Sequence, residues 1–150
     1  MYALWVLLFG ATLGIQAQTY CTTNLYTTGC TFGDYLDNVQ LNNVNQTATG
    51  CSTGGFADYT SDTVNVQQTA MLQLGVTTGY SGQWFALWVD ANNDGDFDDA
   101  GEHLWSSSAA GPAAGVLYSN TLVIPATLAT GNHRMRLRCK WSGTALLATD

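Results

Sequence analysis

Gln83-Trp84-Phe85-Ala86-Leu87-Trp88-Val89 is the run on which the fold turns. From Trp84 onward it is apolar at both parities. Successive side chains of a strand point to opposite faces, so such a run suits a central strand covered on both sides. Working outward, Tyr35–Leu41, Val64–Val66 and Met71–Val76 alternate apolar with polar residues, the last ending at the turn signal Thr77-Thr78-Gly79. On the other side come His103–Trp105, Val116–Ile124 stopped by Pro125, and Asn132–Trp141. No segment sustains a helical period. Short strands separated by Gly, Asn and Thr turns predict an all-β chain, an antiparallel β-sandwich of jelly-roll-like type.

Composition agrees. The 150 residues suffice for one domain. Four Lys and Arg against eleven Asp and Glu give a net charge of −7, which leaves little from which to build a phosphate-tracking surface and excludes nucleic acid as a partner. The scarcity of Lys and Glu, the usual fillers of exposed helix, argues against a helical bundle.

Tyr2–Ala11 is uninterrupted apolar sequence, too short to span a bilayer core, which needs about 20 residues. Composition changes abruptly at Gln18, so 1–17 reads as a signal peptide cut after Ala17 and 18–150 as the domain. The protein is then secreted or held at the cell surface, with no membrane span after cleavage. Cys21, Cys30, Cys51 and Cys139 fit an oxidising compartment. Three pairings are allowed, Cys30 with Cys51 being the favoured local one, and no spacing is that of a zinc ribbon or redox pair.

Six of the eleven acids crowd into Asp90-Ala91-Asn92-Asn93-Asp94-Gly95-Asp96-Phe97-Asp98-Asp99-Ala100-Gly101-Glu102. Oxygen side chains at positions 1, 3 and 5, Gly at 6 and acids at 7 and 9 match the first half of a calcium loop. A hard divalent cation offsets the repulsion among such carboxylates, and Ca²⁺ accepts six to eight oxygen ligands where Mg²⁺ demands an octahedron. The expected ligands are the side chains of Asp90, Asn92, Asp94 and Asp98 and the carbonyl of Asp96, closed by Glu102 or Asp98. Position 12 is Gly101 and the flanks are strands, so this is not an EF-hand. The competing reading is a metal-free hairpin tip, because Asp and Asn also shape turns through their own side chains.

All four basic residues alternate in Arg134-Met135-Arg136-Leu137-Arg138-Cys139-Lys140-Trp141. On a strand Arg134, Arg136, Arg138 and Lys140 form one stripe, with Met135, Leu137, Cys139 and Trp141 directed inward. The stripe keeps an edge soluble or meets acids on a neighbouring strand. Its sharper use is a groove for an anionic polymer such as a sulfated or uronic polysaccharide. Trp84, Trp105 and Trp141 are candidates for sugar stacking, whereas Trp88 belongs to the core. His103 and His133, the only histidines, sit in no nucleophile or metalloprotease motif, so catalytic residues are expected to be none.

Four segments read together resemble one family, the GEVED domain of exported Bacteroidetes proteins: FGDYLDNVQL (Phe32–Leu41), CSTGGFADYTSDT (Cys51–Thr63), WFALWVDANNDGDFDDAGE (Trp84–Glu102) and IPATLATGNHRMRLR (Ile124–Arg138). The resemblance implies a β-sandwich accessory module within a longer secreted polypeptide. The family's Gly-Glu-Val-Glu-Asp segment would follow the RMRLR strand, so the last strand is expected to be missing here. The function expected is a non-catalytic, calcium-stabilised binding or adhesion module whose partners are other domains of the same polypeptide and an extracellular glycan or protein. The alternative is a glycan-binding accessory domain of a secreted hydrolase, or a metal-dependent hydrolase using Glu102 and His103.

Overall fold

A computed structural model describes Tyr20, residues 29–141 and residues 143–147. The signal peptide expected at 1–17 and Cys21 lie outside the described residues. A single helical turn, α1 (Gly29–Phe32), precedes seven strands: β1 (Leu36–Leu41), β2 (Val44–Gln46), β3 (Met71–Thr78), β4 (Gln83–Val89), β5 (His103–Ser106), β6 (Tyr118–Val123) and β7 (Met135–Trp141). They form two antiparallel sheets, ordered β2-β1-β3-β6 and β5-β4-β7. This is the β-sandwich expected, with the Trp84–Val89 run at the centre of the second sheet.

Alternation explains how one strand serves two cores. Phe85 and Leu87 point from β4 into the space between the sheets, where they meet Leu72, Leu74 and Val76 of β3, Leu41 of β1, Leu122 and Ile124. Each such side chain, buried completely, contributes about 1.5–3 kcal/mol through the area it removes from water. Ala86 and Trp88 point the other way, into a smaller cluster with Phe97 and Leu146, against which Tyr20 packs. Met135, Leu137 and Cys139 of β7 join the inner core, as the alternation of that strand requires.

Two expectations are corrected. Val64–Val66 is not a strand; both valines pack against the inner core from irregular chain. Apolar alternation therefore marked burial correctly while no neighbouring backbone was placed to pair with it. In its stead Val44–Gln46 forms β2, returning against β1 with Leu41 opposite Val44. Trp141 does not pack inward but is 62% exposed, because it stands opposite Gln83 at the final pair of an edge strand, past the last core residue of β7.

Cys30 and Cys51 are joined by a disulfide with Cα atoms 5.3 Å apart, the favoured local pair. It fastens α1 to the chain that follows β2. Cys139 carries a free thiol. At the β3–β4 turn only glycine fits at position 79, where a Cβ would lie 2.5 Å from the Tyr35 ring. Among the described residues no helix is long and apolar enough to cross a membrane.

Candidate metal site

The acidic loop begins where β4 runs out of paired neighbours. The Asp90 amide donates to the Arg134 carbonyl (2.9 Å) and the Val89 amide to the Glu102 carbonyl (2.8 Å), so both ends of the loop are sewn to the sheet. Between them a series of side-chain turns sets the path. The Asp94 amide donates to Asn92 Oδ1 (3.0 Å), the Asp96 amide to Asp94 Oδ1 (3.2 Å) and the Asp98 amide to Asp96 Oδ1 (3.0 Å). Gly95 supplies the sharp bend at φ 100°, a conformation costly to a residue with a Cβ.

Two carboxylates of the loop are buried: Asp90 is 0% and Glu102 1% exposed. Asp90 Oδ2 accepts from the Tyr20 hydroxyl (2.6 Å) and the Gly95 amide (3.0 Å), and Oδ1 accepts from the Asp94 amide (3.2 Å). Burial opposes ionisation of Asp90, yet the Tyr20 hydroxyl and the amides of Gly95, Asn93 and Asp94 outweigh it and hold the carboxyl below its usual range. Glu102 reaches back across the loop, accepting from the Ala91 amide on Oε1 (2.8 Å) and from the Asp99 amide on Oε2 (3.2 Å).

The outcome is a convergence of three acids. Asp90, Asp94 and Glu102 each offer an oxygen within 4.8 Å of the others. At that separation, two unit negative charges repel by about 3 kcal/mol at an effective dielectric of about 20. Of the two closing carboxylates considered from sequence, Glu102 is the one beside Asp90 and Asp94. Asn92 lies at the rim, its amide donating to Asp94 Oδ2 (2.8 Å) and Asp99 Oδ2 (2.7 Å). Asp96 and Asp98 are exposed, and Asp98 does not join the three-acid group. An all-oxygen donor set of this kind suits a hard cation and offers neither the imidazole nor the thiolate that zinc or copper prefers.

Sequence reasoning missed what holds the loop against the sheet. Phe97, the one bulky apolar residue of the acidic run, is buried beside Tyr20, with ring centroids 5.5 Å apart. The Arg136 guanidinium lies between Trp88 and Phe97, 4.4 and 4.6 Å from their ring centroids. Arg134 covers Tyr20 at 4.7 Å and approaches Asp58 at 3.9 Å. Half of the basic stripe is thus built into an arginine–aromatic stack beneath the loop. Arg138 and Lys140 continue it opposite Ala86 and Trp84.

The histidines have structural tasks. His103 Nε2 pairs with Ser106 Oγ (2.8 Å), and its ring packs on Trp88 with centroids 5.2 Å apart. Burial lowers its pKa, against a backbone hydrogen bond at Trp105 that raises it. His133 bridges the Asp90 carbonyl (Nδ1, 2.9 Å) and the Ala129 carbonyl (Nε2, 3.0 Å), bracing the start of the loop.

Fold and site together define a small two-sheet β module with an oxygen-lined loop between neighbouring strands. Residues 84–149 match the family model of the GEVED domain. The match takes in β4 to β7 and the acidic loop, while β1, β2 and β3 precede it. No curated protein and no solved structure matches the chain.

Proposed function

We propose that the chain is a non-catalytic, calcium-stabilised binding or adhesion module of an exported or cell-surface protein. The observation that carries this reading is the pair of buried carboxylates, Asp90 and Glu102, converging with Asp94. Asp90 and Glu102 would hold the ion from the sheet side and Asp94 from the solvent side, with Asn92 and the Asp96 carbonyl completing the set. The ion would neutralise the cluster and tie the first residue of the loop to its last. The Cys30–Cys51 bridge is in keeping with an oxidising compartment.

Support for a non-catalytic role comes from the engagement of the histidines. His103, the residue a hydrolase would need beside Glu102, is occupied by Ser106 and Trp88.

Thermal unfolding after chelation, repeated with rising calcium, tests the proposal. Ligand binding to the folded state alone stabilises by mass action, by about 2.7 kcal/mol at a hundred times Kd. The wild-type Tm is expected to climb with calcium and that of Asp94→Ala to stay flat. Equal melting of the wild type in chelator and in millimolar calcium would overturn the reading.

A further inference from the structure

The outer strands of the two sheets are not alike. β2 has three residues and β5 four. β7 carries Arg136, Arg138 and Lys140 at alternate positions, so two β7 strands laid together would set cation against cation. Short length and charge are the usual guards of an open edge. β6 has neither: Tyr118-Ser119-Asn120-Thr121-Leu122-Val123 is six residues long, uncharged, and paired to β3 without a register shift.

The hydrogen bonds on either side of β3 show which backbone groups of β6 are open. The Ile124 amide donates to the Ala70 carbonyl (3.0 Å). On β3, the Gln73 amide donates to Asn42 Oδ1 (2.8 Å) and the Gln73 carbonyl accepts from the Asn42 amide (3.2 Å), so that residue is turned away from β6. Alternation then points the main chain of Asn120 and Leu122 at β3 and that of Ser119, Thr121 and Val123 out of the sheet edge. The side chains of these three lie on the solvent face with Gln73 and Met71, where Met71 and Val123 are 67% and 62% exposed. Charge is absent around this edge. Residues 63–89 and 103–133, which include all of β3 to β6, contain no Asp, Glu, Lys or Arg in a chain of net charge −7. Tyr118 packs against Trp105 with ring centroids 6.2 Å apart, so β5 flanks β6 with a second strand free of acids and of Lys and Arg.

We propose that two copies of this chain pair antiparallel through β6 about a two-fold axis at Thr121, joining their four-stranded sheets into one. The strand is its own complement. With Thr121 opposite Thr121 of the second copy, Ser119 falls opposite Val123, and the open amides and carbonyls of Ser119, Thr121 and Val123 meet their counterparts. Odd-numbered residues meet odd-numbered ones, so the solvent face stays the solvent face and Leu122 stays on the core side. Two molecules of charge −7 repel wherever they display carboxylates, and this edge lets them meet along strands that carry none. A contact of one strand is smaller than the roughly 1,200 Å² of stable complexes, so the pairing is reversible and governed by concentration. The inference goes beyond the binding-module reading by making the module bivalent, and it requires no ion.

Sedimentation velocity of the full chain between about 10 μM and about 1 mM, in chelator and in calcium, tests it. A monomer–dimer equilibrium is expected in both. Thr121→Pro removes an amide that points out of the sheet and none from the β3–β6 ladder, so it should weaken association tenfold or more while the melting temperature of the dilute protein stays close to that of the wild type. Thr121→Lys, which sets two like charges face to face at the axis, should weaken it as well and is the second probe should the proline variant fail to fold. Asn45→Lys on β2, the other edge of the same sheet, should leave association as it is. A wild type that stays monomeric up to about 1 mM, dimers undiminished in the folded Thr121 variants, or an equal loss in Asn45→Lys would overturn it. Melting recorded on the same samples separates the two proposals: a flat calcium response beside a Thr121-dependent dimer removes the metal reading and supports this one.

Discussion

Strand β4 belongs to two apolar clusters that differ in what closes them. The inner cluster lies between the sheets and is sealed by aliphatic and aromatic side chains from strands of both. The outer one is closed from above by Phe97 of the acidic loop and Tyr20, with Arg136 laid between Trp88 and Phe97. Hydrophobic burial governs the first and is indifferent to ions. The lid of the second is part of the acidic loop, so Phe97 and the converging carboxylates share one segment of chain. One strand thus holds the molecule together on one face and reports on the state of a loop on the other.

The largest effect should come from the inner face. Phe85→Ala removes a buried ring and should cost about 3–5 kcal/mol in denaturant unfolding, yet leave the calcium increment in stability as it is in the wild type. A reduced increment would show that the two faces are not separable. Removing the disulfide as Cys30→Ala with Cys51→Ala should cost about 3 kcal/mol for a bridge of this span, again without touching the response to calcium.

On the outer face, Phe97→Ala should cost less, about 2 kcal/mol, since the cluster it leaves is small. Here the calcium affinity should fall as well, because the loop loses the ring that seats it. An unchanged affinity would separate the loop from the cluster below.

The smallest effect is one of pH. Burial pushes the Cys139 thiol up to about 12, reinforced by the Asp34 carboxylate and opposed by Arg138. A thiol whose folded pKa lies above the unfolded value of about 8.5 contributes stability that is complete below that pH and is lost as pH climbs towards the folded pKa. Between pH 8 and 9.5 the wild type should lose about 1 kcal/mol that Cys139→Ala does not lose. Parallel pH profiles for the two proteins would refute the assignment.

Local pattern carried much of the fold. The Trp84–Val89 run announced a strand covered on both faces, and β3 and β7 were visible in their alternation, because each of these features is a property of the strand itself. Two elements were not. Val44–Gln46 pairs through its backbone while its Asn and Gln give no apolar period, and Val64–Val66 has the period without a partner strand. The loop was legible from its oxygen spacing, and of the six candidate ligands it marked, Asp90, Asp94 and Glu102 converge. What lay beyond the sequence were contacts across the fold. Tyr20 reaches Asp90 over 70 positions, and the use of Arg136 as a filling between two rings depends on which residue register sets opposite Trp88. A stripe of cations on a strand looks the same in sequence whether water or an aromatic loop covers it.

Direct calcium titration calorimetry on the chelator-treated protein, beside Asp94→Ala, bears most closely on the central claim. The account predicts a single saturable site in the wild type and no saturable heat in the variant. Heats that stay at the level of dilution in the wild type, or a site that survives loss of the Asp94 carboxylate undiminished, would contradict it.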